Sequence, residues 1–128
     1  MIVFGTYCSK TKSLKKGKLN PFERYTSNRI KQVKRYSDES DMTCLILSGK
    51  YGILFEDDEL EYYDKYLNIE EVDELVERIV ASNKLVDIDV LVWFSSGVDS
   101  YDMCIRNACS RMGIELVWVP IDVYGNII

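Results

Sequence analysis

The sequence predicts a single α/β domain over residues 1–128, a three-layer α/β/α sandwich with a mainly parallel sheet of about four strands. Three observations point to this class. Four short apolar runs alternate with segments of helical period, giving the order βαβαβαβ. The second run, residues 43–47, is almost continuous in apolar residues, as strands covered on both faces are. Right-handed crossovers then lay successive strands parallel, with the helices on the sheet faces. At 128 residues and 47% hydrophobic content, the chain can bury one sizeable core and is too short for two ordinary domains.

The first strand, residues 1–7 (MIVFGTY), is apolar and β-branched and ends at the polar run CSKTKS. A basic loop follows, closed by Asn20 and Pro21. Ile30, Val33 and Tyr36 recur at every third position among Lys and Arg, which predicts a helix over 27–36 with one buried stripe. Residues 43–47 (TCLIL) form the second strand. Residues 48–67 lack a clear period and read as a long irregular stretch, a kind of segment that often carries function. Asn68 and Glu71 have capping-box spacing, and Ile69, Val72, Leu75, Val76, Ile79 and Val80 continue at helical intervals. Residues 89–94 (DVLVWF) give the third strand. A helix from Ser100 to about Met112 follows, stopped by Gly113, and the fourth strand covers 114–119.

Composition removes several function classes. No apolar run approaches the roughly 18 to 20 residues of a membrane helix, and the start lacks a secretory pattern, so no membrane partner is expected and the expected compartment is the cytoplasm. Cys8, Cys44, Cys104 and Cys109 include no CxxC pair and histidine is absent, so neither a metal site nor a cofactor is expected. Without histidine, proton transfer falls to Asp, Glu, Lys, Tyr or Cys. Residues 1–36 carry ten Lys or Arg and one Glu, leaving six basic and twenty acidic residues for the remainder of a chain with net charge −5. That split makes either a cationic face suited to nucleotide or nucleic acid, or two charged regions that attract each other on folding. Oligomeric state is not legible.

In open parallel sheets, ligands bind beyond the carboxyl ends of the strands. The predicted topology brings four segments to that rim: Cys8-Ser9-Lys10-Thr11-Lys12, Ser48-Gly49-Lys50-Tyr51-Gly52, Ser95-Ser96-Gly97-Val98-Asp99-Ser100, and Pro120-Ile121-Asp122. Hydroxyls and lysines in the first two suit an anion, and Gly49, Gly52 and Gly97 allow close backbone approach or positive φ. Turns favour Gly and Ser in any case. SSGVDS resembles the SGGxDS phosphate loop of ATP pyrophosphatases with Ser96 in place of a glycine, but it follows the third strand rather than the first. Tyr51, Tyr62, Tyr63 and Tyr66 cluster beside Asp57, Asp58, Glu59, Glu61 and Asp64. They either stack on a base or pack the loop onto its domain, and Asp64 is the general-base candidate.

The succession CSKTK, PFERYTSNRIKQVKRY, LILSGKYGIL, EYYDKYL, SYDMCIRNACSRMGIELVWVPID and YGN resembles the bacterial and phage domains related to the peroxide-stress protein YaaA. The central LSGKYGIL and YYDKYL blocks are its most specific part. The resemblance maps onto Cys8, Ser9, Lys10, Tyr25, Thr26, Ser27, Ser48, Gly49, Lys50, Tyr51, Gly52, Tyr63, Asp64 and Tyr101, and it implies a nucleic-acid context with no defined reaction. The resulting expectation is a nucleotide- or nucleic-acid-binding protein, extending to an enzyme that acts on the glycosidic or phosphate part of a nucleotide or DNA base. Asp64 is its catalytic candidate. Its binding candidates are Cys8, Ser9, Lys10, Ser48, Gly49, Lys50, Tyr51, Gly52, Tyr63, Ser96, Gly97, Asp99, Ser100 and Tyr101. The alternatives are a non-catalytic DNA-binding stress protein, or a phage or host-defence factor that sequesters a small nucleotide.

Overall fold

The computed structural model describes residues 1–97 and 99–128; Val98 and the Asp99 side chain, both in the SSGVDS loop, lie outside the described residues. The elements follow the chain as β1 (Ile2–Tyr7), α1 (Pro21–Arg24), α2 (Asn28–Glu39), β2 (Thr43–Ser48), β3 (Gly52–Phe55), a single 3-10 turn (Ile69–Glu71), α3 (Val72–Ser82), β4 (Val90–Ser95), α4 (Asp99–Met112) and β5 (Glu115–Pro120). Local chemistry sets the helix starts. Asn20 Oδ1 accepts from the backbone N–H of Phe22 and Glu23 ahead of α1, and Ser27 Oγ accepts from Ile30 N ahead of α2. The Glu71 carboxylate reaches back to the N–H of Asn68, as its spacing predicts.

The sheet has five strands rather than four, in the order β3-β2-β1-β4-β5. β1, β2, β4 and β5 pair in parallel, whereas β3 pairs antiparallel with β2, so the sheet is mixed. β3 falls inside the stretch expected to be irregular. A four-residue strand, GILF, is too short to show a period of two, and its pairing is created by the turn before it. Ser48 Oγ accepts from the N–H groups of Lys50 and Tyr51, and Gly52 takes φ +75° to re-enter the sheet.

Strand alternation divides the core. Phe4, Cys44, Val92 and Phe94 pack with Val33 and Tyr36 of α2. Val3, Leu45, Leu91 and Trp93 join the larger cluster that includes Leu75, Val76 and Ile79 of α3 and Cys104, Ile105 and Ala108 of α4. All four cysteines are free and buried. Among the described residues, no helix is long and apolar enough to cross a membrane, and no group of three or more His, Cys, Asp or Glu could hold a metal ion.

The strand order locates the crevice. From β1 the chain passes to β2 on one side, and from β4 it passes to β5 on the other, while β1 and β4 are hydrogen-bonded neighbours. Their carboxyl ends therefore diverge at a topological switch point, where open sheets of this kind hold ligands.

Candidate functional site: a cationic, tyrosine-walled cavity at the switch point

A cavity of about 590 Å³ opens at this point, lined by Tyr7, Cys8, Ser9, Lys10, Lys12, Arg29, Asp64, Lys65, Tyr66 and Tyr101. Arg29 forms its charged wall. It stands in the first turn of α2 and, with Val33 and Ser37 at successive four-residue steps, lies on the buried stripe of that helix. Its Nη1 donates to Thr6 Oγ1 (2.8 Å) and to the Tyr7 carbonyl (2.9 Å), and its Nη2 donates to the Cys8 carbonyl (3.0 Å). The guanidinium carbon lies 3.7 Å from the centre of the Tyr7 ring. Among the described residues no carboxylate pairs with it, and two of its five N–H groups have no protein acceptor. Burial pulls its pKa below the ordinary arginine value.

Tyrosine hydroxyls tie the loops together. Tyr7 stacks on Tyr101 with ring centroids 5.7 Å apart, and its hydroxyl bonds Ser96 Oγ (2.9 Å), joining the ends of β1 and β4. The Tyr101 hydroxyl accepts from the Cys8 thiol (3.5 Å) and from Leu67 N (3.1 Å). Behind this layer, the Tyr63 hydroxyl bonds both Ser48 Oγ (2.8 Å) and the Tyr25 hydroxyl. Burial raises the pKa of Tyr25, Tyr63 and Tyr101 well above that of a free phenol, so all three stay neutral donors and acceptors at physiological pH. Lys12 Nζ lies 4.8 Å from the Tyr63 ring centre and Lys50 Nζ lies 5.8 Å from it, which sets two ammonium groups around one buried phenol.

The residues expected at the site separate into groups. Cys8, Ser9, Lys10, Asp64 and Tyr101 line the cavity, and Asp64 stands exposed there. Ser48 and Tyr63 are buried behind it in the hydroxyl network. Gly49 is buried in the β2–β3 turn, where a Cβ would come 3.0 Å from the Tyr101 hydroxyl and 3.1 Å from Leu67 N. Lys50 and Tyr51 are exposed on that turn, and Tyr51 and Gly52 border a separate groove with Arg78 and Lys84. Ser96 bonds Tyr7, Gly97 borders a second cavity, and Ser100 is buried with its hydroxyl unpartnered among the described residues. The Asp99 side chain lies outside the described residues.

Lys12, of the Cys8–Lys12 rim segment, and Tyr66, of the tyrosine cluster, also line the cavity, and Tyr7, Arg29 and Lys65, which the sequence does not assign to the site, complete it. A signal for Arg29 exists in the sequence, because a charged residue four positions before Val33 falls on the apolar stripe of the helix. Four of the ten basic residues of the first third are buried or paired. Arg24 and Arg29 turn inward, Lys34 pairs with Asp38 and Glu56, and Arg35 pairs with Glu39.

The arrangement can hold an anion against Arg29 and Lys10, with a planar group beside Tyr66 and Tyr101 and a carboxylate within the same cavity. No family model, curated protein or solved structure matches the chain.

Proposed function

We propose that the protein binds a nucleotide at the switch-point cavity, with its phosphate against Arg29, Lys10 and Lys12 and its base beside Tyr66 and Tyr101. The observation that carries this reading is Arg29 itself. A buried guanidinium without a carboxylate is costly unless something compensates it, and its two free N–H groups suit a phosphate oxygen pair. The exposed Tyr66 supplies ring surface beside it. The likeness to the YaaA-related domains agrees with this reading, since Cys8, Ser9, Lys10, Asp64 and Tyr101 are among the residues it maps and all line the cavity. The two core clusters further support a three-layer α/β/α sandwich, and a nucleotide ligand fits a cytoplasmic protein.

Catalysis is the extension of the same proposal. Asp64 is the one carboxylate lining the cavity among the described residues. Beside a bound sugar it would stabilise a developing cation or activate water for cleavage of a glycosidic bond, chemistry that requires no histidine. A broad DNA-binding face is a separate reading: Arg24, Arg29, Lys34 and Arg35 are buried or paired, while Lys10, Lys12, Lys15, Lys16, Lys18 and Lys31 form no ion pair among the described residues.

The test is calorimetric titration with deoxynucleoside and ribonucleoside monophosphates, with mass spectrometry of the ligand afterwards. Binding is expected in the micromolar range, weakened at least tenfold in Lys10→Ala/Lys12→Ala with an unchanged melting temperature. No heat from any monophosphate, or equal affinity in the double variant, removes the reading. Ligand recovered unchanged confines it to binding, and products lost in Asp64→Asn establish turnover.

A further inference from the structure

A second cavity, about 710 Å³, has Ile69, Trp93, Gly97, Asp102, Arg106 and Trp118 in its lining. The two cavities are divided by neighbouring residues on three segments. Tyr66 borders the first and Ile69 the second; Tyr101 borders the first and Asp102 the second; Ser96, bonded to Tyr7 of the first, adjoins Gly97 of the second.

The second cavity has an aromatic platform. Trp118 is 56% exposed at the carboxyl end of β5, an unusual position for so large an apolar ring. It is not loose: its Nε1 donates to the Ser95 carbonyl (3.2 Å), which fixes the indole orientation. Beside it, in register on β4, the buried Trp93 donates its Nε1 to Asp102 Oδ1 (2.9 Å), which also accepts from Ser95 Oγ (2.6 Å). Asp102 is thereby tied to the fold, and among the described residues Arg106 is left with no ion pair. A pre-oriented ring beside a free guanidinium is what a stacked base with its phosphate requires. The lining thus sets an indole ring and the Arg106 guanidinium beside the Asp102 carboxylate.

We propose that this cavity is a second base subsite, so that the ligand is a short single-stranded oligonucleotide whose successive bases occupy the Tyr66/Tyr101 cavity and the Trp118 platform. The proposal rests on the nucleotide reading above. It names the ligand class that reading leaves open.

The experiment compares dAMP, the 5′-phosphorylated deoxyadenylate dimer, and the same dimer lacking its second base, by calorimetry and tryptophan fluorescence on the intact protein. The dimer is expected to bind about tenfold or more tighter than dAMP, with quenching of the exposed indole. The baseless dimer, which carries the same charges, should lose that gain. In Trp118→Ala the ratio of dimer to monomer affinity should collapse toward one, and Trp118→Phe should restore most of it; Arg106→Ala reports on the same cavity if the Trp118 variants fold poorly. Equal binding of dimer and monomer overturns the second subsite and leaves the nucleotide reading standing. A gain that survives without the second base, or in both Trp118→Ala and Arg106→Ala, also overturns it. Failure of all three ligands to bind overturns the second subsite, and it overturns the nucleotide reading as well when no other monophosphate binds.

Discussion

Two buried arginines, five residues apart, do different work. Arg24 is fully buried and all five of its N–H groups donate to carbonyls: Nη1 to Ser13 (2.7 Å) and Lys15 (3.0 Å), Nη2 to Gly17 (2.6 Å) and Leu60 (3.3 Å), and Nε to Leu60 (3.4 Å). It closes the lysine-rich loop over the domain from inside. Arg29 is nearly as buried, yet three bonds occupy it and the rest of its donor fork borders a cavity. The difference shows that burial and lack of a carboxylate do not by themselves mark a functional arginine. Incomplete coordination at a cavity wall is what sets Arg29 apart, and it is what the proposed phosphate contact requires.

The sharpest way to break this contrast is to remove each side chain. Arg24→Ala leaves four carbonyl acceptors buried and opens a side-chain-sized void, so it should cost at least about 3 kcal/mol. Urea denaturation measures this, and many such molecules should be unfolded at 37 °C. Arg24→Lys should recover little, since one ammonium cannot reach four divergent carbonyls. A loss below about 1 kcal/mol would show that the loop does not depend on this residue.

Arg29→Met should cost less, about 1–2 kcal/mol, because two effects oppose. Three acceptors lose their donor, while an uncompensated buried charge disappears. The distinguishing measurement is anion linkage. Inorganic phosphate should raise the melting temperature of the wild type and leave that of Arg29→Met unchanged. A phosphate shift that persists in the variant would place the anion elsewhere.

How much of this was legible in the sequence follows from the range of the interactions. The four parallel strands and the three long helices came through because each is a local pattern of apolar residues, and their boundaries moved by only a few residues. α1 and β3, at four residues each, are shorter than the periods that would announce them. The rim was legible as a set of loops. Their division into cavity wall and buried support was not, because it depends on strand order and on which loop Tyr63 packs beneath. LSGKYGIL stands out in the sequence for its hydroxyl, lysine and glycines, and in the fold Ser48 and Gly49 serve the β2–β3 turn and the close approach of Tyr101. Tyr7 and Arg29 escaped notice because each sits inside a regular element, where a strand end and a helix stripe supply a sufficient structural explanation.

That division gives a smaller prediction at Gly49. An added Cβ would meet the Tyr101 hydroxyl and the backbone nitrogen of Leu67, and the backbone cannot yield as a flexible side-chain tip could. Gly49→Ala should cost about 1 kcal/mol and also displace Tyr101, weakening nucleotide binding by several fold. Gly97 has open space around the same added atom. Its positive φ of 89° makes Gly97→Ala a backbone penalty alone, with the first cavity intact. Equal effects of the two substitutions on binding would erase the distinction between support and rim.

The smallest effect on stability, and the finest probe of open against closed burial, lies in the cysteines. Burial pushes Cys44, Cys104 and Cys109 up to about 12, so at pH 8 only about one thiol in ten thousand is ionised in each. All three belong to the packed core. Cys8 belongs to the same core, but it also lines the cavity beside Arg29. Peptide mapping after brief iodoacetamide treatment at pH 8 should therefore find Cys8 modified first and the other three only after denaturation. Bound nucleotide should slow the Cys8 reaction without touching the rest. Raising the pH toward 10 increases the thiolate fraction of the core cysteines a hundredfold in principle, yet their alkylation should still wait on opening of the fold, because packing as well as protonation excludes the reagent. Modification of Cys104 ahead of Cys8 in the folded protein would mean that the helical core opens more readily than the cavity admits a small molecule.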